Sequence, residues 1–187
     1  MTMNLLHRMC CSSDYWARSV EQKLLPWALR DVELGESTLE IGPGYGANLR
    51  VLADRTALTA VEIDKPMADR LVTKYGERAR IIHGDGTDLP LADSDFSSVV
   101  CFTMLHHVPT PALQDQMFAE AFRVLQPGGV FAGTDGVPSF LMRVSHIHDT
   151  YNPAIPDTLP DRLRRAGFSE VQVDVKGGEQ RWRAVKT

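Results

Sequence analysis

The chain has 187 residues, 43% hydrophobic and 24% charged, with a net charge of −4, which fits a single soluble globular domain able to bury its own core. The acidic balance leaves no excess of Lys and Arg for a phosphate backbone and disfavours nucleic acid as a partner. Three cysteines, two of them adjacent at Cys10 and Cys11, suggest no disulfide framework, and no stretch approaches the roughly 18 apolar residues of a membrane span, so a cytoplasmic protein is expected.

From Asp14 to Arg30 apolar residues recur at Trp16, Val20, Leu24 and Trp27, a helical stripe that Pro26 should kink or restart. Strands and helices then alternate: strand Thr38 to Ile41, a helix from about Ala47, strand Leu58 to Glu62, a helix from about Pro66, and strands Arg80 to His83 and Ser97 to Phe102. Such alternation predicts parallel βαβ units. Thr110 is placed to cap a helix with Pro111 at its first position and Leu113, Met117, Ala121, Phe122 and Leu125 on one face, and Pro127-Gly128-Gly129 should end it. Strand Val130 to Thr134 follows, then a long irregular stretch over residues 136–157. A helix from Leu159 to Ala166, capped by Thr158, leads to strands Phe168 to Val175 and Arg181 to Lys186, with Gly177-Gly178 as the hairpin turn between them. The expected architecture is a seven-stranded, mostly parallel, doubly wound α/β sheet of the Rossmann type, closed by an antiparallel hairpin. Residues 1–35 would form an N-terminal helical lid, 37–135 the binding core, 136–157 a variable substrate stretch, and 158–187 the closing helix and hairpin.

The first strand runs into Gly42-Pro43-Gly44-Tyr45-Gly46, a turn where backbone can approach a ligand. The third glycine arrives one residue early for a pyrophosphate-binding turn, which argues against a dinucleotide. Glu62 ends the second strand about twenty residues beyond Gly42, where a carboxylate accepts hydrogen bonds from a ribose diol. Gly84-Asp85-Gly86 ends the third, pairing an acid with an open backbone N–H, a combination suited to an adenine edge. Adenosine without phosphates is the ligand these positions suggest.

Together with Met104-Leu105-His106-His107-Val108 and Arg123-Val124-Leu125-Gln126-Pro127-Gly128-Gly129, these segments resemble the class I S-adenosylmethionine-dependent methyltransferases, in their small-molecule branch, from Leu39 to about Gly129. The resemblance implies S-adenosyl-L-methionine as cofactor, with Gly42 and Gly44 near its methionine part and Glu40 fixing that loop. Glu62 would hold the ribose, Ile63 would lie on the adenine face, and Asp85 and Gly86 would read the adenine edge. The main-chain carbonyl of Phe102 would accept from the methionine ammonium. Where the family often has a small apolar side chain, Gly86 has none, which implies slightly weaker cofactor binding.

A small-molecule methyl acceptor is the expected partner, transferred to by in-line displacement through proximity and orientation. An RNA adenine methyltransferase and an inactive cofactor-binding subunit are the alternatives, the former opposed by the acidic charge and by Phe102-Thr103-Met104-Leu105 where those enzymes carry an Asn-Leu-Pro-Tyr type motif. Acceptor-side candidates are His106 and His107 after the fourth strand, and His146 and His148 in the irregular stretch. His146-x-His148 lacks a third and fourth ligand, so no metal is expected. Asp135 either lines the pocket or caps a turn. Tyr15, Trp16 and Tyr45 are placed to offer aromatic surface to the cationic sulfur, and Asp64 and Asp88 read as capping and turn residues.

Overall fold

The computed structural model describes residue 9 and residues 11–147 and 149–187. Helix α1 (Asp14–Ser19) is capped by Ser13, whose Oγ accepts from Trp16 N at 3.1 Å. It widens into a π turn over Val20–Leu24 before continuing as α2 (Leu25–Ala28). Pro26 has no N–H and its ring crowds the carbonyl four residues back, so the local widening lets one continuous helical rod carry a proline.

The strands are β1 (Ser37–Ile41), β2 (Ala57–Glu62), β3 (Ala79–His83), β4 (Phe96–Phe102), β5 (Leu125–Gly136), β6 (Ser169–Lys176) and β7 (Glu179–Val185), in the sheet order β3-β2-β1-β4-β5-β7-β6. β1 through β5 pair in parallel and β7 lies antiparallel between β5 and β6, the mostly parallel sheet with a closing hairpin that the alternation implied. The remaining helices are α3 (Leu49–Leu52), α4 (Lys65–Tyr75), α5 (Pro111–Val124), α6 (Phe140–Ser145) and α7 (Leu159–Arg165).

The two-residue period of the strands divides their apolar side chains between two buried clusters. Leu39 and Ile41 of β1 and Val99 and Cys101 of β4 join Met117, Phe118 and Leu163 on the face covered by α5 and α7, while Val100 and Phe102 join Leu25, Leu49 and Leu71 on the other. Each such side chain contributes about 1.5–3 kcal/mol, so central strands buried on both faces are the most strongly specified part of the fold.

Several boundaries differ from the sequence expectation. α3 spans one turn only, because residues 44–48 are spent on the turn after β1. β5 starts at Leu125 and takes in Pro127-Gly128-Gly129, so the strand, not a loop, ends α5. Thr158 is itself in helical conformation and its hydroxyl donates to Ile155 O at 3.1 Å, so it is not a side-chain cap. Residues 136–157 contain the short helix α6, capped by Ser139, whose Oγ accepts from Met142 N at 3.1 Å. No helix among the described residues is long and apolar enough to cross a membrane.

Candidate functional site

The chain leaves β1 towards β2 on one side while β4 lies on the other, a reversal of strand order that opens a crevice beyond their carboxyl ends. A cavity of about 600 Å³ occupies it, a size ordinary for a small-molecule site. The β1 turn, the ends of β2, β3 and β4, α1 and α5 all line it.

Gly42 and Gly44 have φ of 70° and 54°, left-handed values that side chains resist and glycine adopts freely. A Cβ on Gly42 would also stand 2.4 Å from Met104 Cγ, whereas one on Gly44 would meet nothing within 4 Å, so Gly44 leaves its backbone open to a ligand. Glu40 is fully buried, and its Oε1 accepts from Asn48 Nδ2 at 2.7 Å, which ties the turn to the strand that precedes it. Glu40 Oε2 and Asn48 Oδ1 are buried without hydrogen-bond partners. Burial, opposed by the Asn48 bond and reinforced by the Glu62 charge, lifts the Glu40 carboxyl to about 8.

Glu62 does more than the sequence indicated. Its Oε2 accepts from Gly44 N at 3.1 Å and its Oε1 from Asp64 N at 3.0 Å, so one carboxylate clamps the glycine turn to the end of β2. Each oxygen retains a second lone pair for a diol. Burial raises its pKa while the two N–H bonds pull the other way. Asp64 is a helix cap, accepting from Met67 N at 3.0 Å. Ile63, 46% exposed, presents an apolar face on the cavity wall.

Asp85 Oδ1 accepts from Thr87 N at 2.8 Å and from Thr87 Oγ1 at 2.9 Å, and the turn closes with Asp88 N on Asp85 O at 3.1 Å. Oδ2 is the oxygen those bonds leave over. At Gly86 the structure corrects the expectation of a merely absent contact: a Cβ there would lie 2.6 Å from Ile41 Cγ2, so the missing side chain is what lets β1 approach. Phe102 is buried at the end of β4, and Thr103 after it takes a left-handed φ of 49°, turning the chain into a 3-10 turn over Leu105–His107.

Tyr15 does not belong to the site. It is 80% exposed and lines no part of the cavity. Trp16 and Val20, one helical turn apart, face it instead, because Tyr15 sits about 100° round the helix from Trp16. Tyr45 lines the wall as expected, and Arg70 joins it there, its guanidinium carbon 5.8 Å from the centre of the Tyr45 ring. Cys101 is core, its thiol pushed up by burial and by the Asp135 and Glu40 charges.

Among the described residues of 136–157 none lines the cavity, in contrast to the expectation that this stretch forms its wall. Its contribution is one layer removed. Asp135, fully buried, accepts from His106 N at 2.7 Å, from His106 Nδ1 at 2.5 Å and from Gly136 N at 2.8 Å. The His106 ring centroid lies 4.1 Å from that of His107 and 4.9 Å from that of His146, and Tyr151 stacks on His146 at 4.9 Å. His107 alone of these lines the cavity. The cluster is braced from behind by hydrogen bonds in series. Arg162 Nη1 donates to Gln114 Oε1 at 2.8 Å, Gln114 Nε2 to Asn152 O at 2.7 Å, and Asn152 N to His106 O at 2.7 Å. His148 lies outside the described residues. Asn48, Gln114 and Asn152 escaped sequence reasoning, whereas Asp135, an acid ending a strand at the ligand edge, carried a signal.

An acid-lined crevice beyond a doubly wound sheet, with a carboxylate at the end of β2 and a second after β3, is the arrangement that nucleoside-binding α/β folds present. A family model described as a methyltransferase domain matches residues 39–133, just over half of the 187 residues, and the chain belongs to that family. A probable S-adenosylmethionine-dependent methyltransferase of Mycolicibacterium smegmatis is 34% identical over 119 residues, covering 63% of this chain and 44% of the relative. Erythromycin 3''-O-methyltransferase of Saccharopolyspora erythraea is 29% identical over 167 residues, covering 74% and 52%. In fold, the chain resembles phosphoethanolamine N-methyltransferase 2 of Haemonchus contortus, solved with S-adenosyl-L-methionine, with a TM-score of 0.73 at 15% identity over 91% of this chain and 52% of that one. The chain spans about half the length of these two curated relatives.

Proposed function

We propose that this chain binds S-adenosyl-L-methionine in the β1–β4 crevice and directs its methyl group to a small, largely apolar acceptor. The observation that carries the reading is the Glu62 clamp: a buried carboxylate at the end of β2 that holds the Gly44 N–H and keeps lone pairs for a ribose, beside the half-exposed Ile63. The fit extends to hydrogen bonding, since Glu40 Oε2 and Asn48 Oδ1 are buried polar atoms without partners at the turn where the methionine part of the cofactor would lie.

Bound there, S-adenosylmethionine supplies a methyl group already activated by its sulfonium. The chain's own residues then have mainly to orient and to exclude water. Gly44 offers bare backbone, Glu62 holds the ribose, Ile63 and Asp85 hold the base, and Trp16 and Val20 cover the crevice. Met104, Leu113 and Met117 line the cavity with apolar surface, which suits a drug-sized molecule better than a polyanion. His107, with His106 and His146 behind it, supplies the polar group that turns the acceptor's reactive atom towards the methyl.

The test is transfer of labelled methyl from S-adenosylmethionine into a panel of apolar hydroxy, amino and carboxy compounds, with RNA and an acid-precipitable fraction alongside. Label in one or more small molecules supports the proposal. Label only in RNA, or none with the cofactor demonstrably bound, contradicts it and favours the nucleic-acid or inactive-subunit reading respectively.

A further inference from the structure

His106, His107 and His146 come from two segments about forty residues apart in sequence, yet one ring nitrogen of each lies within 4.8 Å of one from each of the others, and all three side chains are buried. Their hydrogen bonds share a pattern. His106 Nδ1 meets Asp135 Oδ1 at 2.5 Å, His107 Nδ1 meets Thr150 O at 3.3 Å, and His146 Nδ1 meets Met142 O at 2.8 Å. A carbonyl or carboxylate oxygen can only accept, so in each neutral ring the proton sits on Nδ1 and the lone pair is on Nε2. That arrangement, one ring nitrogen donating to a carboxylate or carbonyl and the other left to coordinate, is the one metal-binding histidines adopt.

Two further observations point the same way. His106 Nε2 is buried without a hydrogen-bond partner. Two carboxylates supply a negative field beside the rings: Asp135, bonded to His106, and Glu179, whose buried Oε2 has no partner and which interacts electrostatically with both Asp135 and His106.

We propose that His106, His107 and His146 form a three-imidazole site for one divalent cation of the zinc class, with its fourth position open towards the acceptor end of the cavity. Zinc binds histidine nitrogen at about 2.0–2.1 Å, so three such nitrogens stand roughly 3.4 Å apart and the cluster closes on the ion with small ring movements. Three protein ligands and one open position are the composition of a catalytic rather than a structural zinc site. Because His107 is the member that lines the cavity, a hydroxyl-bearing acceptor is the class the site favours. Its oxygen would bind the cation and release its proton to solvent, then take the methyl as the bond to sulfur breaks, leaving S-adenosylhomocysteine. This role in acceptor choice rests on the methyl-transfer reading; binding of the cation does not.

The experiment uses the full chain, stripped with a chelator, titrated with Co2+ and read by its visible ligand-field absorption, with S-adenosylhomocysteine titrated into the same preparations. The expected result is one four-coordinate Co2+ per chain, displaced by Zn2+, with affinity falling at least about tenfold in each of His107→Gln and His146→Ala and by about 10- to 100-fold in Asp135→Asn. Absence of a four-coordinate spectrum in the wild-type chain, or unchanged Co2+ affinity in folded His107→Gln and His146→Ala, overturns the site. If S-adenosylhomocysteine binds and Co2+ does not, the metal inference fails alone. If Co2+ binds and S-adenosylhomocysteine does not, the functional reading fails and the metal site stands.

Discussion

Asp135 at the end of β5 holds His106 by two hydrogen bonds at once, 2.7 Å to its backbone N and 2.5 Å to its Nδ1. One buried carboxylate thus fixes both the position of the loop after β4 and the tautomer of its ring. Asp135→Asn replaces an acceptor with a donor facing one of those N–H groups. The expected outcome is a methyl-transfer kcat about 10- to 100-fold lower, with S-adenosylhomocysteine affinity unchanged, because Asp135 lines no part of the cofactor cavity. Steady-state kinetics and calorimetry on one preparation separate the two, and an equal fall in both would show that Asp135 merely holds the fold together.

Glu40 gives the fold a pH dependence of its own. Its folded pKa of about 8 lies above the ordinary carboxylate value, so the folded state keeps a proton that the unfolded state has lost. The associated stability is fully present below about pH 4.5, declines as pH rises from there, and is gone above about pH 8. Glu40→Gln keeps an oxygen for Asn48 Nδ2 and cannot ionise. It should leave stability near pH 4.5 little changed and raise it at pH 8 by on the order of a few kcal/mol. Urea melts of both proteins across that range check this; parallel curves would mean that Glu40 ionises normally in the folded chain.

The Glu62 clamp predicts that Glu62→Ala weakens cofactor binding by about 1.5–3 kcal/mol, the range for hydrogen bonds to a charged group. Because Glu62 also holds Gly44 N, the glycine turn should loosen, and amide hydrogen exchange at Gly44 should accelerate in the variant. Unchanged exchange there would place the anchor of the turn elsewhere.

Arg162 joins α7 to α5 through Asp115 at 2.6 Å, Gln114 at 2.8 Å and the Pro111 carbonyl at 2.8 Å, with its guanidinium 5.2 Å over the Phe118 ring. Arg162→Met retains the stem and loses the bonds, leaving Gln114 Oε1 without that donor. Destabilisation of about 1.5–3 kcal/mol is expected by denaturant titration. A variant as stable as wild type would show that the brace behind the histidines is dispensable.

The sheet was legible because its strands are short apolar runs bounded by turn residues, and Glu62 and Asp85 could be placed because a strand end in a parallel sheet points at the ligand crevice. What sequence could not supply was distance across the fold. His106 and His107 stood as one candidate set and His146 and His148 as another, and nothing in their spacing revealed that β5, by carrying Asp135 back beside His106, brings His146 against the first pair. The same distance hides the ring neighbours of His146, since His106 and His107 lie about forty residues earlier in the chain. Tyr15 illustrates a smaller loss, since adjacent helix residues point about 100° apart and, of the pair Tyr15 and Trp16, Trp16 is the one that faces the cavity.

The most direct measurement is calorimetric titration of the chain with S-adenosylmethionine, S-adenosylhomocysteine and NAD in parallel. Binding of both sulfur ligands at one site per chain, lost or much weakened in Glu62→Ala, with no heat from NAD, is the result the crevice geometry predicts. Binding of NAD with neither sulfur ligand bound would contradict the account, because the Gly42–Gly46 turn and the Glu62 clamp would then be serving a diphosphate.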